Sequence, residues 1–227
     1  MTFDAVGEPR YDGHADWYDQ CNGAWSEVNR APLLDLLGPV DGLCLDLGCG
    51  TGQNFQALRA GGRTVVGVDY SADQLRLARQ RRVPGEWLAQ ADGAALPFGD
   101  SVFSTVATLW LSTDVNDFAA VIRDAARVLR PGGTVVHYGA HPCFTGPHTE
   151  DCEDGGRIAH PTYRTGDWHR PAPWWREGGI RQRLGMRHLP LAELLNAFIA
   201  AGLVITRVVE PLDDPVPRVL ALRAEKP

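Results

Sequence analysis

A glycine-rich turn at residues 45–52, Leu-Asp-Leu-Gly-Cys-Gly-Thr-Gly, most limits what this chain can fold into. Its three glycines stand at alternate positions, after an apolar strand and ahead of a helix-forming run. Glycine tolerates positive φ and has no Cβ, so such a turn leaves backbone N–H groups and a helix N-terminus open to a ligand. We therefore expect a strand–turn–helix unit that binds a nucleotide-like molecule.

Two residues beside the turn argue against a dinucleotide. Dinucleotide-binding turns place a further Gly or Ala where this chain has Gln53. Asp46, just before the turn, would repel a pyrophosphate but would attract an ammonium or sulfonium group. The ligand is therefore predicted to be cationic near the turn.

A second acidic residue follows the next predicted strand. Asp69 ends the strand at 64–68 and lies 17 residues beyond Gly52. In doubly wound sheets, an acidic residue at the end of the second strand accepts hydrogen bonds from ribose hydroxyls. Asp69 therefore predicts a ribose, although several kinds of nucleotide contain one.

Apolar runs alternate with segments of helical period through the middle of the chain. This alternation indicates a parallel sheet with helices on both faces. After an amphipathic helix that Gly202 ends, two further strands are expected to close the sheet. The seven predicted strands cover residues 43–47, 64–68, 86–89, 103–109, 134–138, 204–209 and 216–222.

Two later segments make the pattern more specific, Ala-Asp-Gly-Ala-Ala-Leu-Pro-Phe at 91–98 and Arg-Val-Leu-Arg-Pro-Gly-Gly at 127–133. Together with the glycine turn, they resemble the class I S-adenosylmethionine-dependent methyltransferases that act on small molecules. The resemblance extends from about Tyr11 to the C-terminus. It implies an α/β fold, a Rossmann-like, doubly wound, mostly parallel seven-stranded sheet in a single domain over residues 1–227.

Within that domain, four parts are expected: an N-terminal helical lid at 1–40, a cofactor-binding core at 41–139, a substrate cap inserted after the fifth strand at 140–187, and a C-terminal helix with strands at 188–227. The cap has no clear periodicity, but Trp168, Trp174 and Trp175 provide apolar area to bury.

The resemblance implies S-adenosylmethionine as the cofactor and S-adenosylhomocysteine as the product. It places Asp46 near the ammonium group, Asp69 on the ribose, and Asp92 on the adenine with Gly93 beside it. The lid aromatics Tyr11, Trp17 and Tyr18 could equally pack the helix on the sheet. The other expected cofactor contacts are Tyr11, Tyr18, Gly48, Gly50, Gly52, Tyr70 and Leu109.

Methyl transfer from a sulfonium is an in-line displacement, to which a protein contributes mainly alignment and exclusion of water. For an oxygen acceptor, the acceptor favoured here, a histidine with a reference pKa of about 6.5 is a suitable base. His141 and His188 are the candidate catalytic residues and substrate contacts. Trp17 and Trp110 are further substrate contacts.

Five arginines of the cap region have two interpretations. They could bind an acidic substrate, but a solvated surface is the favoured reading. They are Arg164, Arg170, Arg176, Arg181 and Arg183.

Composition argues against several other classes. With 227 residues, a net charge of −6 and no basic block, a nucleic-acid partner is not expected. No apolar run approaches about 18 residues and no signal-peptide core is visible, so a soluble cytoplasmic protein without membrane contact is expected. The five scattered cysteines include no tight ligand pair, which argues against a metal and a disulfide framework. A monomer or homodimer is expected.

Three alternatives remain open at the level of sequence. The fold could keep S-adenosylmethionine but catalyse a cyclisation or rearrangement, or it could be a regulatory protein that binds the cofactor without turnover. A nicotinamide enzyme is a weaker alternative, which titration of NAD against S-adenosylmethionine would test.

Overall fold

The computed structural model describes residues 9–169, 172, 175 and 177–227, without the side chains of 24–26. Trp174, Arg170 and Arg176, named above for the cap, lie outside the described residues. The helices are α1 (Ala15–Val28), α2 (Arg30–Leu37), α3 (Phe55–Leu58), α4 (Ala72–Arg81), α5 (Phe118–Val128), α6 (Ile180–Leu184) and α7 (Leu191–Ala200). The strands are β1 (Gly42–Leu47), β2 (Arg63–Asp69), β3 (Trp87–Gln90), β4 (Phe103–Leu109), β5 (Leu129–Ala140), β6 (Thr149–Asp151), β7 (Arg157–Ala159), β8 (Trp168–His169), β9 (Met186–Arg187), β10 (Val204–Val209) and β11 (Val219–Glu225).

Seven of these strands form one sheet in the order β10-β11-β5-β4-β1-β2-β3. The five strands from β5 to β3 are parallel, and β11 runs antiparallel to both of its neighbours. The predicted seven-stranded, mostly parallel sheet is therefore confirmed. The strand order reverses between β1 and β4, and ligands of doubly wound sheets bind in the crevice at such a reversal.

The sheet buries both of its faces, which is why its central strands are continuous apolar runs. On one face α5 and α7 pack through residues such as Ile122 and Phe198. On the other face α2, α3 and α4 contribute Leu37, Phe55 and Leu75. All seven residues of β4 are buried, so this strand positions the following loop firmly.

The bounds of five strands differ from the prediction, whereas those of β4 and β10 match it. Strands β1 and β2 begin one residue early, and β2 also ends one residue late. Strand β5 begins at Leu129 instead of 134, because the predicted turn stays next to β11, where the N–H of Gly132 donates to the carbonyl of Lys226 at 2.8 Å. Strand β11 begins at Val219, three residues late, since Pro215 and Pro217 have no N–H to donate to a ladder. Strand β3 begins one residue late, at Trp87, since the N–H of Glu86 donates to the carbonyl of Val83 at 3.1 Å.

The segment between β5 and α7 contains two small antiparallel ribbons. Strand β6 pairs with β7, and β8 pairs with β9 beside α6. These short elements explain why the segment shows no long periodicity in the sequence. Among the residues that the model describes, no helix has the length and apolar character needed to cross a bilayer.

Gly67, in the middle of β2, predicts a measurable packing effect. A Cβ added there would lie 2.7 Å from Leu88 Cδ2 and 2.9 Å from both Cys49 Sγ and Phe55 Cζ. Overpacking of this kind costs about 1–3 kcal/mol. We therefore expect Gly67→Ala to lower the free energy of unfolding in urea by that amount. In Gly23→Ala, the control, the new Cβ meets open space on α1 and stability should stay equal or rise slightly; equal midpoints for both variants would contradict this packing.

Candidate functional site

Two adjoining cavities open at the carboxyl edge of the parallel strands. The larger has a volume of about 1380 Å³ and the smaller one of about 370 Å³. Five residues line both cavities and mark their junction: Tyr18, Gly48, Gly50, Leu109 and Trp110. A ligand in one cavity can therefore meet a ligand in the other beside the glycine turn.

Most of the residues predicted to contact the cofactor line the larger cavity. They are Tyr11, Tyr18, Gly48, Gly50, Asp69, Tyr70, Asp92, Gly93 and Leu109. Gly52 and Asp46 are not part of this lining. Gly52 has φ +78° and faces the Phe55 ring, since an added Cβ would lie 2.7 Å from Phe55 Cε2. This conformation lets the turn pack on α3, and the direct contact of Gly52 with the cofactor stays a prediction.

Asp69 holds the glycine turn in place. Its Oδ2 accepts a hydrogen bond from the N–H of Gly50 at 2.8 Å, and its Oδ1 accepts from the N–H of Ser71 at 2.9 Å. Burial raises the pKa of Asp69 to about 6, although these backbone hydrogen bonds act in the opposite direction. The carboxylate therefore connects the end of β2 to the turn after β1 and faces the larger cavity.

Asp46 is a buried carboxyl group on β1 with only 1% of its surface exposed. Both of its oxygens lack a hydrogen-bond partner among the described residues. Burial, and then the charge of Asp69, raise the pKa of Asp46 to about 8. An unpartnered buried carboxyl is costly unless a donor or cation reaches it. The residues present therefore fit a ligand that brings a cationic group next to the glycine turn.

Trp110 follows β4 in an unusual conformation. It has φ +62°, which is rare for a residue with a Cβ, and its N–H donates to the carbonyl of Tyr138 at 2.6 Å. Backbone strain of this kind is concentrated at functional sites. Because Trp110 lines both cavities, it occupies a suitable place for the substrate contact predicted from the sequence.

Tyr11 and Tyr18 pack edge to face, with ring centroids 5.2 Å apart. The hydroxyl of Tyr11 donates to Asp114 Oδ1 at 3.0 Å. Arg181, from α6, donates to the same oxygen at 2.7 Å and to Asp114 Oδ2 at 3.2 Å. The interpretation of Arg181 as a solvated cap residue is therefore wrong. Arg181 forms a partly buried, bidentate ion pair with Asp114, which also accepts from Tyr11 of the N-terminal segment.

The adenine end of the predicted cofactor site is more open. Tyr70 is 44% exposed, and Asp92 Oδ1 accepts from the N–H of Ala94 at 2.9 Å. Gly93 faces Leu47, where an added Cβ would lie 3.3 Å from Leu47 Cδ1. These residues form the solvent-facing end of the larger cavity.

Trp17 is placed away from both cavities in the described part of the chain. The guanidinium carbon of Arg183 lies 4.3 Å from the centre of its indole ring, and His14 lies beside it. The ring of Trp17 packs between His14 and Arg183 of α6, and its contact with the substrate stays a prediction.

The two candidate histidines are also placed behind the cavity walls. His141 Nε2 donates to Glu210 Oε1 at 2.9 Å, because its Nδ1 accepts from the N–H of Cys143 at 3.1 Å. Among the described residues that line the cavities, neither His141 nor His188 appears. His141 therefore has no ring nitrogen left to take a proton from an acceptor.

His188 is fully packed with other rings. Its ring centroid lies 4.2 Å from that of His148 and 5.1 Å from that of Tyr163. Burial, and then His148, lower the pKa of His188 to about 4. Gly146 lines the smaller cavity, and a Cβ on it would lie 3.3 Å from His188 Nδ1. The predicted base and substrate contact therefore sits behind Gly146, without a direct contact to the cavity.

Sequence reasoning missed the polar residues that line the smaller cavity from the cap side. Arg157 and Asp151 come from the β6–β7 ribbon, and Arg218 comes from the segment before β11. The local sequence carries no motif for them, because Arg218 and Asp151 meet only through the tertiary fold.

Comparisons with known proteins agree with the motifs. Residues 45–137 match a family model described as a methyltransferase domain. A demethylmenaquinone methyltransferase of Corynebacterium kroppenstedtii is 34% identical over 157 residues, which cover 65% of this chain and 64% of that protein. The chain therefore spans less than two thirds of the length of this curated relative.

Two solved structures share the fold. An S-adenosylmethionine-dependent methyltransferase from Mesorhizobium loti has a TM-score of 0.72 and 24% identity, covering 88% of this chain and 98% of that one. A geranyl diphosphate methyltransferase in complex with S-adenosylmethionine has a TM-score of 0.66 and 20% identity, covering 98% of this chain and 93% of that one.

Residues 45–137 therefore match a methyltransferase domain, within a chain that shares the fold of S-adenosylmethionine-dependent methyltransferases. These findings agree with the family predicted from the motifs.

Proposed function

We propose that this protein transfers a methyl group from S-adenosylmethionine to a small-molecule acceptor. The larger cavity is assigned to the cofactor and the smaller one to the acceptor. The observation that carries this proposal is their common lining at the glycine turn, by Tyr18, Gly48, Gly50, Leu109 and Trp110. A donor and an acceptor held in the two cavities would meet there.

Asp69 and Asp92 of the larger cavity, and the buried Asp46 on β1 next to the glycine turn, have distinct proposed roles. Asp69 would accept from the ribose hydroxyls, Asp46 would neutralise the cationic part of the cofactor, and Asp92 would bind the adenine. When bound, S-adenosylmethionine supplies an electrophilic methyl group. The residues around it contribute alignment of the acceptor and exclusion of water, and alignment alone removes up to about 7–11 kcal/mol of an entropic barrier.

Two segments are proposed to close the site. Tyr11 and Tyr18 belong to the N-terminal lid, and Arg181 belongs to the cap. Tyr11 and Arg181 both bind Asp114, and this shared contact would tie the lid to the cap beside the larger cavity. Closure of this kind would shield the reacting atoms from water.

The acceptor is proposed to be the hydroxyl group of a small aromatic molecule such as a quinol. The apolar side chains of the smaller cavity, including Ile180, Met186 and Val219, favour an acceptor with an apolar body. The name of the Corynebacterium relative specifies demethylmenaquinone as the acceptor of that protein. Its likeness to this chain supports an acceptor with an apolar ring system, while the hydroxyl oxygen as the methylated atom is part of the proposal alone.

The test is a product assay with the full chain. The protein is incubated with S-adenosylmethionine and a panel of hydroxylated aromatic acceptors, and S-adenosylhomocysteine and methylated product are measured by mass spectrometry. The proposal predicts equal molar amounts of both products with at least one acceptor. Tight cofactor binding with no demethylation across the panel would contradict it and favour a non-methylating or regulatory protein.

A further inference from the structure

A cluster of charged side chains lines the smaller cavity on its cap side. Arg157 Nη1 lies 2.6 Å from Asp151 Oδ1, and Arg218 Nη1 lies 3.3 Å from Asp151 Oδ2. All three residues line the cavity. Two guanidinium groups therefore share one carboxylate at the wall of the proposed acceptor site.

The two arginines differ in their exposure. The side chain of Arg157 is only 9% exposed, while those of Asp151 and Arg218 are 58% and 47% exposed. A buried guanidinium is costly unless charge and hydrogen bonds compensate it. The carboxylate that faces Arg157 is mostly in water and also serves Arg218, so the compensation is weak.

The other charges near the cavity do not remove this excess. Arg181 also lines the cavity, but Asp114 pairs with it in a bidentate arrangement. The charge of Asp214 favours the charged form of Arg157, yet Asp214 is exposed to water and lies outside the cavity lining. Burial, and then the charge of Arg218, lower the pKa of Arg157. Among the described residues that line the cavity, Arg157 and Arg218 therefore share the single carboxylate of Asp151.

The backbone fixes the positions of both arginines. Arg157 is paired across the β6–β7 ribbon with Asp151. The carbonyl of Arg218 accepts from the N–H of His141 at 2.9 Å and from Thr145 Oγ1 at 2.9 Å. The guanidinium groups are therefore held by the start of the cap and by the ribbon, as a recognition site requires.

We propose that Arg157 and Arg218 form an anion subsite of the acceptor cavity, and that the acceptor has an apolar body with a carboxylate group. This inference rests on the proposed assignment of the smaller cavity to the acceptor. A planar carboxylate matches the hydrogen-bonding fork of a guanidinium, and a monoanion balances the single excess charge. The apolar side chains on the rest of the wall would contact the body of the acceptor.

The test compares two ligands of the same size that differ in charge. The full chain is saturated with S-adenosylhomocysteine, and calorimetric titrations are made with 2-naphthoate and with its neutral amide, 2-naphthamide. In the wild-type protein we expect the carboxylate to bind at least about tenfold more tightly than the amide. Equal affinities, or no binding of 2-naphthoate, would overturn the proposal.

Variants then show which residues cause the preference for the carboxylate over the amide. Replacing both Arg157 and Arg218 with methionine keeps apolar length but removes both charges, so the carboxylate and amide affinities should come within about twofold. The matched control is Arg183→Met, a cap arginine that packs on Trp17 outside both cavities and should keep the tenfold preference. A double variant that keeps the preference would contradict the assignment. If it does not fold, the double lysine variant replaces it and should keep the sign of the preference with a smaller magnitude.

Two further measurements distinguish this proposal from a phosphate site and from the proposed function. Tighter binding of 2-naphthyl phosphate than of 2-naphthoate would contradict the carboxylate assignment. If the chain does not bind S-adenosylhomocysteine, the proposed function fails, while the titrations with 2-naphthoate and 2-naphthamide on the cofactor-free protein still test the subsite.

Discussion

Asp46→Asn is expected to be more stable than the wild-type protein at pH 7, by about 2–4 kcal/mol. The reason is the raised pKa of the buried carboxyl, about 8 in the folded protein against about 3.9 in the unfolded chain. Folding at pH 7 must therefore protonate Asp46, whereas asparagine is neutral in both states. Urea denaturation of the cofactor-free protein measures the difference.

The raised pKa of Asp46 also determines how the stability difference changes with pH. A carboxyl with a raised pKa costs stability as the pH rises from the unfolded pKa through the folded one. The stability advantage of Asp46→Asn over the wild type should therefore grow between pH 6 and pH 8, because Asp69 and His188 titrate in both proteins and only the wild type carries Asp46. Asp41→Asn, an exposed acid before β1, is the control and should follow the wild type.

The same substitution should weaken cofactor binding, because the cation would lose its buried counter-charge. We expect affinity for S-adenosylmethionine to fall by about 10- to 100-fold. Binding to the wild type at pH 7 should also release protons from Asp46, which calorimetry in buffers of different ionisation enthalpy detects. A variant that is no more stable and binds equally well would contradict the placement of Asp46.

Asp69→Ala should have the largest effect on cofactor affinity, a loss of at least about 100-fold. Without the carboxylate, the ribose hydroxyls would lose two proposed hydrogen-bond acceptors, and the N–H of Gly50 would lose its acceptor. Affinity for S-adenosylhomocysteine, measured by calorimetry, checks this. The acid-to-alanine control is Asp100→Ala, which removes an exposed partner of Arg127 far from both cavities and should leave affinity unchanged.

A second variant distinguishes the loss of cofactor contacts from a disordered glycine turn. Asp69→Asn keeps one oxygen as an acceptor for the turn but cannot serve as an anionic acceptor for a diol. It should retain the thermal midpoint of the wild type within a few degrees and still lose most of the affinity. Wild-type affinity in Asp69→Ala would show that the ribose does not bind at this carboxylate.

The sheet could be predicted from sequence because its signals are local. Strand β4 was placed at its observed bounds, since a parallel strand buried on both faces is an unbroken apolar run. The turn at 45–52 and Asp69 could be placed because both directly follow strands, and parallel strands bring their carboxyl ends together. The starts of β5 and β11 differ from the prediction because Leu129 pairs with Phe103 of β4, and because two prolines precede Val219.

The acceptor side of the site could not be predicted in the same way. Arg157, Asp151 and Arg218 come together only when β11 pairs with β5 and brings the segment before β11 beside the β6–β7 ribbon. His141 and His188 were chosen by their place in the chain, but burial directs them behind the cavity wall. The direction of a side chain in an irregular segment depends on packing that no short motif records.

A crystal structure of the full chain with S-adenosylhomocysteine tests the central claim most directly. We predict that the ribose lies on Asp69 and that the sulfur lies at the junction lined by Tyr18, Gly50 and Trp110, facing the smaller cavity. A ligand bound elsewhere, or a sulfur that faces away from the smaller cavity, would contradict the assignment of the two cavities to donor and acceptor.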